Sequence, residues 1–131
     1  MRVYIIATEM GQLRRYIMTG NEYQKLAMVT LNPELNEKDI LINGVMGLCG
    51  ESGEVIDHVK KHLAQGHELD KEHLAKELGD IAWYLAEVAT VIGYDLDDIF
   101  RMNIDKLKKR YPEGFSVEKS INRNEADGCE E

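Results

Sequence analysis

Between its two prolines, Pro33 and Pro112, the chain repeats apolar residues at intervals of three and four, with no run of strict alternation. That period matches the turn of an α-helix and not the two-residue repeat of a strand, so the sequence predicts an all-α fold. A first helix is expected to start with Asn21 as N-cap and to carry Tyr23, Leu26, Ala27 and Thr30 until Asn32-Pro33 stops it. A second runs from about Glu37 to Leu63, with Leu41, Val45, Leu48, Val55, Val59 and Leu63 on one stripe, and ends by Gly66. A third begins near Asp70 and spaces Leu74, Leu78, Ile81, Leu85, Val88 and Ile92 alternately four and three apart, the seam of an antiparallel bundle. Gly93 closes it, Asp95 to Asp98 open a fourth helix with Leu96, Ile99, Ile104 and Leu107, and Pro112 and Gly114 close that one. The expected architecture is an antiparallel bundle of four to five helices.

Residues 1–20 lack clear periodicity and read as an N-terminal extension, residues 21–118 as the helical domain, and residues 119–131 as a polar, flexible tail. At 131 residues the chain has the size of one ordinary domain and needs no disulfide framework to bury a core. Cys49 and Cys129 lie far apart, in an apolar segment and an acidic tail, which fits a reducing cytoplasm. No apolar run approaches the roughly 20 residues of a membrane span, so no membrane partner is expected. The formal net charge of −8 opposes binding of duplex nucleic acid, whose affinity rests on Lys and Arg neutralising phosphates. It leaves room for an anionic small molecule, because a divalent cation in an acidic site inverts the local field.

Two carboxylate pairs stand out, Glu51-x-x-Glu54 on the second helix and Glu77-x-x-Asp80 on the third. Residues three apart share a helix face, so each pair points two carboxylates one way, just beyond the edge of the apolar stripe. If the helices pair antiparallel, all four converge at the margin of the core. A hard divalent cation such as Mg²⁺ would relieve their mutual repulsion. Any one such pair is commonly no more than a solvated helix face; two on consecutive helices are harder to explain that way.

The second helix also contains Gly44, Gly47, Gly50 and Gly53. Each costs about 1 kcal/mol against alanine in a helix interior, so close approach of a helix or ligand, or a kinked helix between Gly44 and Gly50, is implied. On the fourth helix Asn103, Lys106 and Arg110 are three and four apart and share a face, where the cations can meet phosphate oxygens. Lys108 and Lys109 read as a basic last turn favoured by the helix dipole. His58, one turn beyond Glu54, reads as an exposed helix histidine in preference to a neighbour of the cation, His62, His67 and His73 as solvated residues around the interhelical loop, Trp83 and Tyr84 as core or subunit-contact residues in preference to a platform for a base, and Met46 as a subunit-contact residue.

The strings Gly47-Leu-Cys-Gly-Glu-Ser-Gly-Glu-Val-Ile-Asp57, Lys76-Glu-Leu-Gly-Asp-Ile-Ala-Trp-Tyr84 and Asn103-Ile-Asp-Lys-Leu-Lys-Lys-Arg-Tyr-Pro-Glu-Gly-Phe115 together resemble the MazG-type all-α nucleoside triphosphate pyrophosphohydrolases. The resemblance covers roughly residues 21 to 118. It implies a Mg²⁺-dependent enzyme, with Mn²⁺ able to substitute, that converts a nucleoside triphosphate to monophosphate and pyrophosphate. By it, Glu51, Glu54, Glu77 and Asp80 are the catalytic metal ligands and Asn103, Lys106 and Arg110 bind the substrate. It also implies a homodimer or homotetramer that completes the bundle. Some members carry a further glutamate where this chain has Gly50, which leaves Glu51, Glu54 or the cation alone to activate water.

Two other classes compete. A carboxylate-bridged di-iron bundle needs Glu-x-x-His on two helices, and this chain offers only Asp70-x-x-His73 at a helix start. A non-catalytic helical nucleotide-binding or interaction module would keep the fold without needing all four acidic positions, yet all four are occupied.

Overall fold

A computed structural model describes residues 4–7 and 13–122 and places most of them in helices. The backbone partitions into two units, Met1–Leu96 and Asp97–Glu131. In the first unit, α1 spans Gly20–Ala27 and continues into a 3₁₀ turn, Met28–Thr30; α2 spans Glu37–Gln65 and α3 spans Lys71–Val91. Most of α4, Leu96–Arg110, and all of α5, Val117–Ile121, lie in the second. The helical class read from the periodicity stands. In addition, β1 (Tyr4–Ala7) and β2 (Leu13–Tyr16) pair antiparallel, Tyr4 opposite Tyr16 and Ala7 opposite Leu13.

Capping chemistry sets the helix ends. The N-cap of α1 is Thr19 rather than Asn21: its side chain accepts from the Glu22 backbone N–H while the Glu22 carboxylate accepts from the Thr19 N–H. This reciprocal pair satisfies two backbone donors, which Asn21 two residues later could not do. Asn36 caps α2 by accepting from the Asp39 N–H, and Asp70 caps α3 by accepting from the N–H groups of Glu72 and His73. Gly66, at φ 74°, ends α2 in the left-handed conformation that a side chain disfavours. The α2–α3 turn is also tied by the His62 Nδ1–H donating to the His67 carbonyl at 2.8 Å.

The helices α2 and α3 lie antiparallel: Gly44 meets Val88 and Glu87, Gly47 meets Tyr84, and His58 meets His73. The helix α2 is unbroken over its 29 residues. Two of its glycines are explained by close approach. A Cβ on Gly47 would stand 2.1 Å from the Tyr84 ring, and one on Gly44 2.6 Å from Val88 Cγ2. Gly50 and Gly53 have open space around them.

Among the described residues the buried ones are Gly44, Ala86, Ala89 and Leu96, with the polar Gln24 and Glu87. Gln24 binds α1 to the end of α3. Its Nε2 donates to Thr90 Oγ1 and the Tyr94 carbonyl, and its Oε1 accepts from the Leu96 N–H at 2.8 Å. Trp83 adds a second tie, donating from Nε1 to Thr30 Oγ1 at 2.8 Å and to the Ala27 carbonyl. The apolar stripes are partly covered in the single chain: on α3 Leu74, Ile81, Leu85 and Val88 are half-buried while Leu78 and Ile92 are exposed, and on α2 Leu48, Val55 and Val59 are half-buried while Leu41, Val45 and Leu63 are exposed. At the contact itself Gly44 and Gly47 of α2 admit Val88 and Tyr84 of α3.

In the second unit, Asp97 and Asp98 open α4 and Lys108, Lys109 and Arg110 close it, each sign at the end that the helix dipole favours. Gly114, at φ 92°, turns the chain after Pro112, and the Tyr111 and Phe115 rings pair at 5.5 Å. Ser116 caps α5. The acidic end of the expected tail and Cys129 lie outside the described residues; Cys49 is a free, exposed thiol.

Candidate metal centre

One turn along α2 from the Gly47–Tyr84 contact stands Glu51, and one turn back along α3 from Tyr84 stands Asp80. The glycine that lets the Tyr84 ring in therefore also sets how closely the two acidic helix faces approach. Glu51, Glu77 and Asp80 each offer a carboxylate oxygen, and these three atoms all lie within 4.8 Å of one another. Glu51 and Glu77 are half-buried and Asp80 is exposed, so the group opens at the surface of the helix pair. Glu54 is not part of this three-residue group; it is exposed on the next turn of α2 and felt at Glu51 through its charge.

The electrostatics show the crowding. Glu51 is held above the ordinary carboxyl range, first by loss of solvation, then by the charges of Asp80 and Glu77, a carboxyl–carboxyl hydrogen bond to Glu77, and the charge of Glu54. A carboxyl group so placed retains a proton that its neighbours disfavour losing. Three oxygen donors within one small space, with excess negative charge among them, suit a hard cation such as Mg²⁺ or Mn²⁺, which takes carboxylates and keeps water in its remaining positions. The donor set thus fits the ion that the acidic pairs imply.

Further residues of α1, α2 and α3 make contacts that spacing alone did not reveal. Tyr23 on α1 donates its hydroxyl to the Gly79 carbonyl at 3.4 Å, and its phenol is pushed up by burial and by the charge of Asp80, so α1 forms part of the site's border. No motif announced it. Asn43 on α2 donates from Nδ2 to both Glu87 oxygens, at 3.0 and 3.1 Å, and Glu87 is fully buried. The spacing 77, 80, 84, 87 on one face of α3 was the available signal for that residue. His73 places Nε2 3.1 Å from Glu77 Oε1. It is half-exposed, as expected of a residue near the loop, but it is paired. His58 departs further from its reading as an exposed histidine: its Nε2 is buried without a hydrogen-bond partner, and its ring lies 4.9 Å from that of His73.

The remaining sequence candidates lie on α4. Asn103 and Lys106 are exposed and Arg110 is half-buried, with its guanidinium 5.9 Å from the Tyr111 ring centroid. Trp83 and Tyr84 contact each other edge to face at 5.1 Å and pack within the chain, while Met46 is 68 % exposed. Further along α2, Asp57 pairs with Lys60 and Lys61, which hold its carboxyl down at about 2. None of the helices among the described residues is long and apolar enough to cross a membrane.

Residues 43–115 match the family described as MazG nucleotide pyrophosphohydrolase domain. The chain is also 34 % identical over 82 residues to the Gene 37 protein of Mycobacterium phage L5, an alignment covering 60 % of this chain and 72 % of that one. No solved structure matches.

Proposed function

The chain belongs to the MazG nucleotide pyrophosphohydrolase family, and on that premise we propose that it is a Mg²⁺-dependent hydrolase that converts a nucleoside triphosphate to its monophosphate and pyrophosphate. The observation that carries the reading is the convergence of Glu51, Glu77 and Asp80 from two antiparallel helices to within 4.8 Å. These three hold the cation, and Mn²⁺ can replace Mg²⁺. When bound, the cation neutralises charge on the phosphates and increases the acidity of water.

The side chains of the protein then divide the work. Glu54, exposed and outside the three-carboxylate group, accepts the proton of the attacking water. Asn103, Lys106 and Arg110 bind the substrate, with Arg110 able to fork two phosphate oxygens and Lys106 acting as a point charge. Attack at the α-phosphorus lets pyrophosphate leave as one unit, its charge met by fixed cations rather than by reorganising water. No covalent nucleophile is needed: the Ser52 hydroxyl is engaged, donating to the Leu48 carbonyl at 2.6 Å.

The working form is a homo-oligomer. Side chains of the apolar stripes that one chain leaves open, among them Leu41, Val45, Leu63, Leu78 and Ile92, are covered by a second copy. Light scattering that finds a monomer at micromolar concentration refutes this part.

Hydrolysis in ¹⁸O-labelled water tests the bond broken. Label should enter the nucleoside monophosphate and be absent from pyrophosphate. Nucleoside diphosphate with free orthophosphate, or label confined to pyrophosphate, contradicts the proposed substrate orientation.

A further inference from the structure

We propose that His73 is a positioning residue for the cation, holding the Glu77 carboxylate in its ligating orientation through a hydrogen bond from Nε2–H. The proposal rests on the reading of Glu51, Glu77 and Asp80 as ligands. His73 lies one turn before Glu77 on α3, so the helix itself brings the two together, with Nε2 to Oε1 at 3.1 Å. An ionised carboxylate accepts and cannot donate, so the proton of this bond is on the imidazole.

The bond matters because of what surrounds Glu77. Glu51 and Asp80 crowd it from the same small space, and a carboxylate left free would swing away from them. Tying one oxygen to His73 removes that freedom and leaves the other oxygen and the remaining lone pairs for the cation. This is the part that outer hydrogen-bond donors commonly play at metal sites.

The imidazole is itself braced. The ring of His58, from α2, lies against it with centroids 4.9 Å apart and planes tilted by 55°. Nε2 of His58 is buried and makes no hydrogen bond, so His58 offers His73 a contacting face and no competing bond through that atom. Asp70, whose carboxyl is lowered mainly by the His73 backbone N–H, is also within electrostatic reach of both histidines. Its cap is made to backbone donors of residues 72 and 73 and survives removal of the His73 side chain.

The alternative is an ordinary pair four residues apart that lends α3 a little stability and nothing else. Mn²⁺ binding followed by electron paramagnetic resonance separates the two, on the full chain and its variants His73→Ala, His73→Gln and Glu77→Gln, with thermal unfolding in excess chelator alongside. His73→Ala should weaken Mn²⁺ binding about 3- to 10-fold, near the low end for outer-shell donors because His73 is half-exposed, with the metal-free melting temperature unchanged. His73→Gln, whose amide nitrogen reaches about as far as Nε2, should restore most of the loss. Unchanged affinity in His73→Ala overturns the proposal, and so does a loss that His73→Gln fails to rescue and that follows a fall in melting temperature. Equal binding by the parent chain and Glu77→Gln instead overturns the metal-centre reading itself, a distinct result because it appears without any change at His73.

Discussion

Gly47→Ala should damage the protein although alanine is the better helix former. Exchange of glycine for alanine in a helix interior contributes about 1 kcal/mol of stability in isolation. Here the new Cβ would stand 2.1, 2.3 and 2.4 Å from three carbons of the Tyr84 ring, against an ordinary carbon contact of about 3.5 to 4.0 Å. The ring would have to turn out of the α2–α3 contact or the helices would have to part. Overpacking of this kind costs about 1 to 3 kcal/mol, and an overlap well over 1 Å belongs at the upper end, leaving a net loss of about 2 kcal/mol. Because Glu51 and Asp80 each lie one turn from this contact, on the same side of it, Mg²⁺ affinity should fall as well. Urea unfolding of Gly47→Ala, Tyr84→Ala and the double variant supplies the check. In the Tyr84→Ala background the collision is gone, and the same exchange should now stabilise by about 1 kcal/mol. Gly50→Ala, where nothing lies within 4 Å, serves as the control and should gain stability in metal-free protein. If Gly47→Ala matches the parent, or costs the same with and without Tyr84, the close-approach argument fails.

Replacing Asn43 by Ala removes the donor to both oxygens of the fully buried Glu87, and urea unfolding should register a loss of about 1 to 3 kcal/mol that a further Glu87→Leu change partly recovers. Gln24→Leu leaves the buried Leu96 N–H and the Tyr94 carbonyl without their partner and should cost about 3 kcal/mol, read as a lower urea midpoint with unchanged slope. For pH, Glu51 holds its proton above the 4.5 of a free glutamate, so between 4.5 and its folded value the native state binds more protons than the unfolded one. Metal-free protein should therefore lose stability as pH rises through that window, and Glu51→Gln should remove this part of the slope; a slope unchanged in the variant counts against the crowding. Asp57 acts in the opposite sense: with its carboxyl lowered from 3.8 to about 2, its contribution is present above 3.8 and disappears as pH falls towards 2, which an acid titration of Asp57→Asn should show.

The class of fold and the acidic centre could be read from the chain alone because both depend on spacing along one helix. A three- and four-residue apolar repeat requires helices, and Glu51-x-x-Glu54 and Glu77-x-x-Asp80 each fall on one face whatever the helices pack against. The C-terminal end of α2 and both ends of α3 were equally local, set by Gly66, Asp70 and Gly93, whereas the α1 cap turned on a reciprocal bond at Thr19 that the stronger-looking Asn21 obscured. What spacing could not specify was which partner stands opposite each residue. Which of the four glycines are filled from across the helix pair, and which carboxylates come within one cation's reach, depend on the register of α2 against α3. Glu87, His58 and Tyr23 looked like surface or unremarkable positions until packing gave them Asn43, His73 and Gly79 as neighbours. The apolar stripes were legible only in part for the same reason: periodicity says that a face is apolar, and only the tertiary contact decides which of its residues are covered, Val88 against Gly44 for one, and which, such as Leu63 and Leu78, stay open.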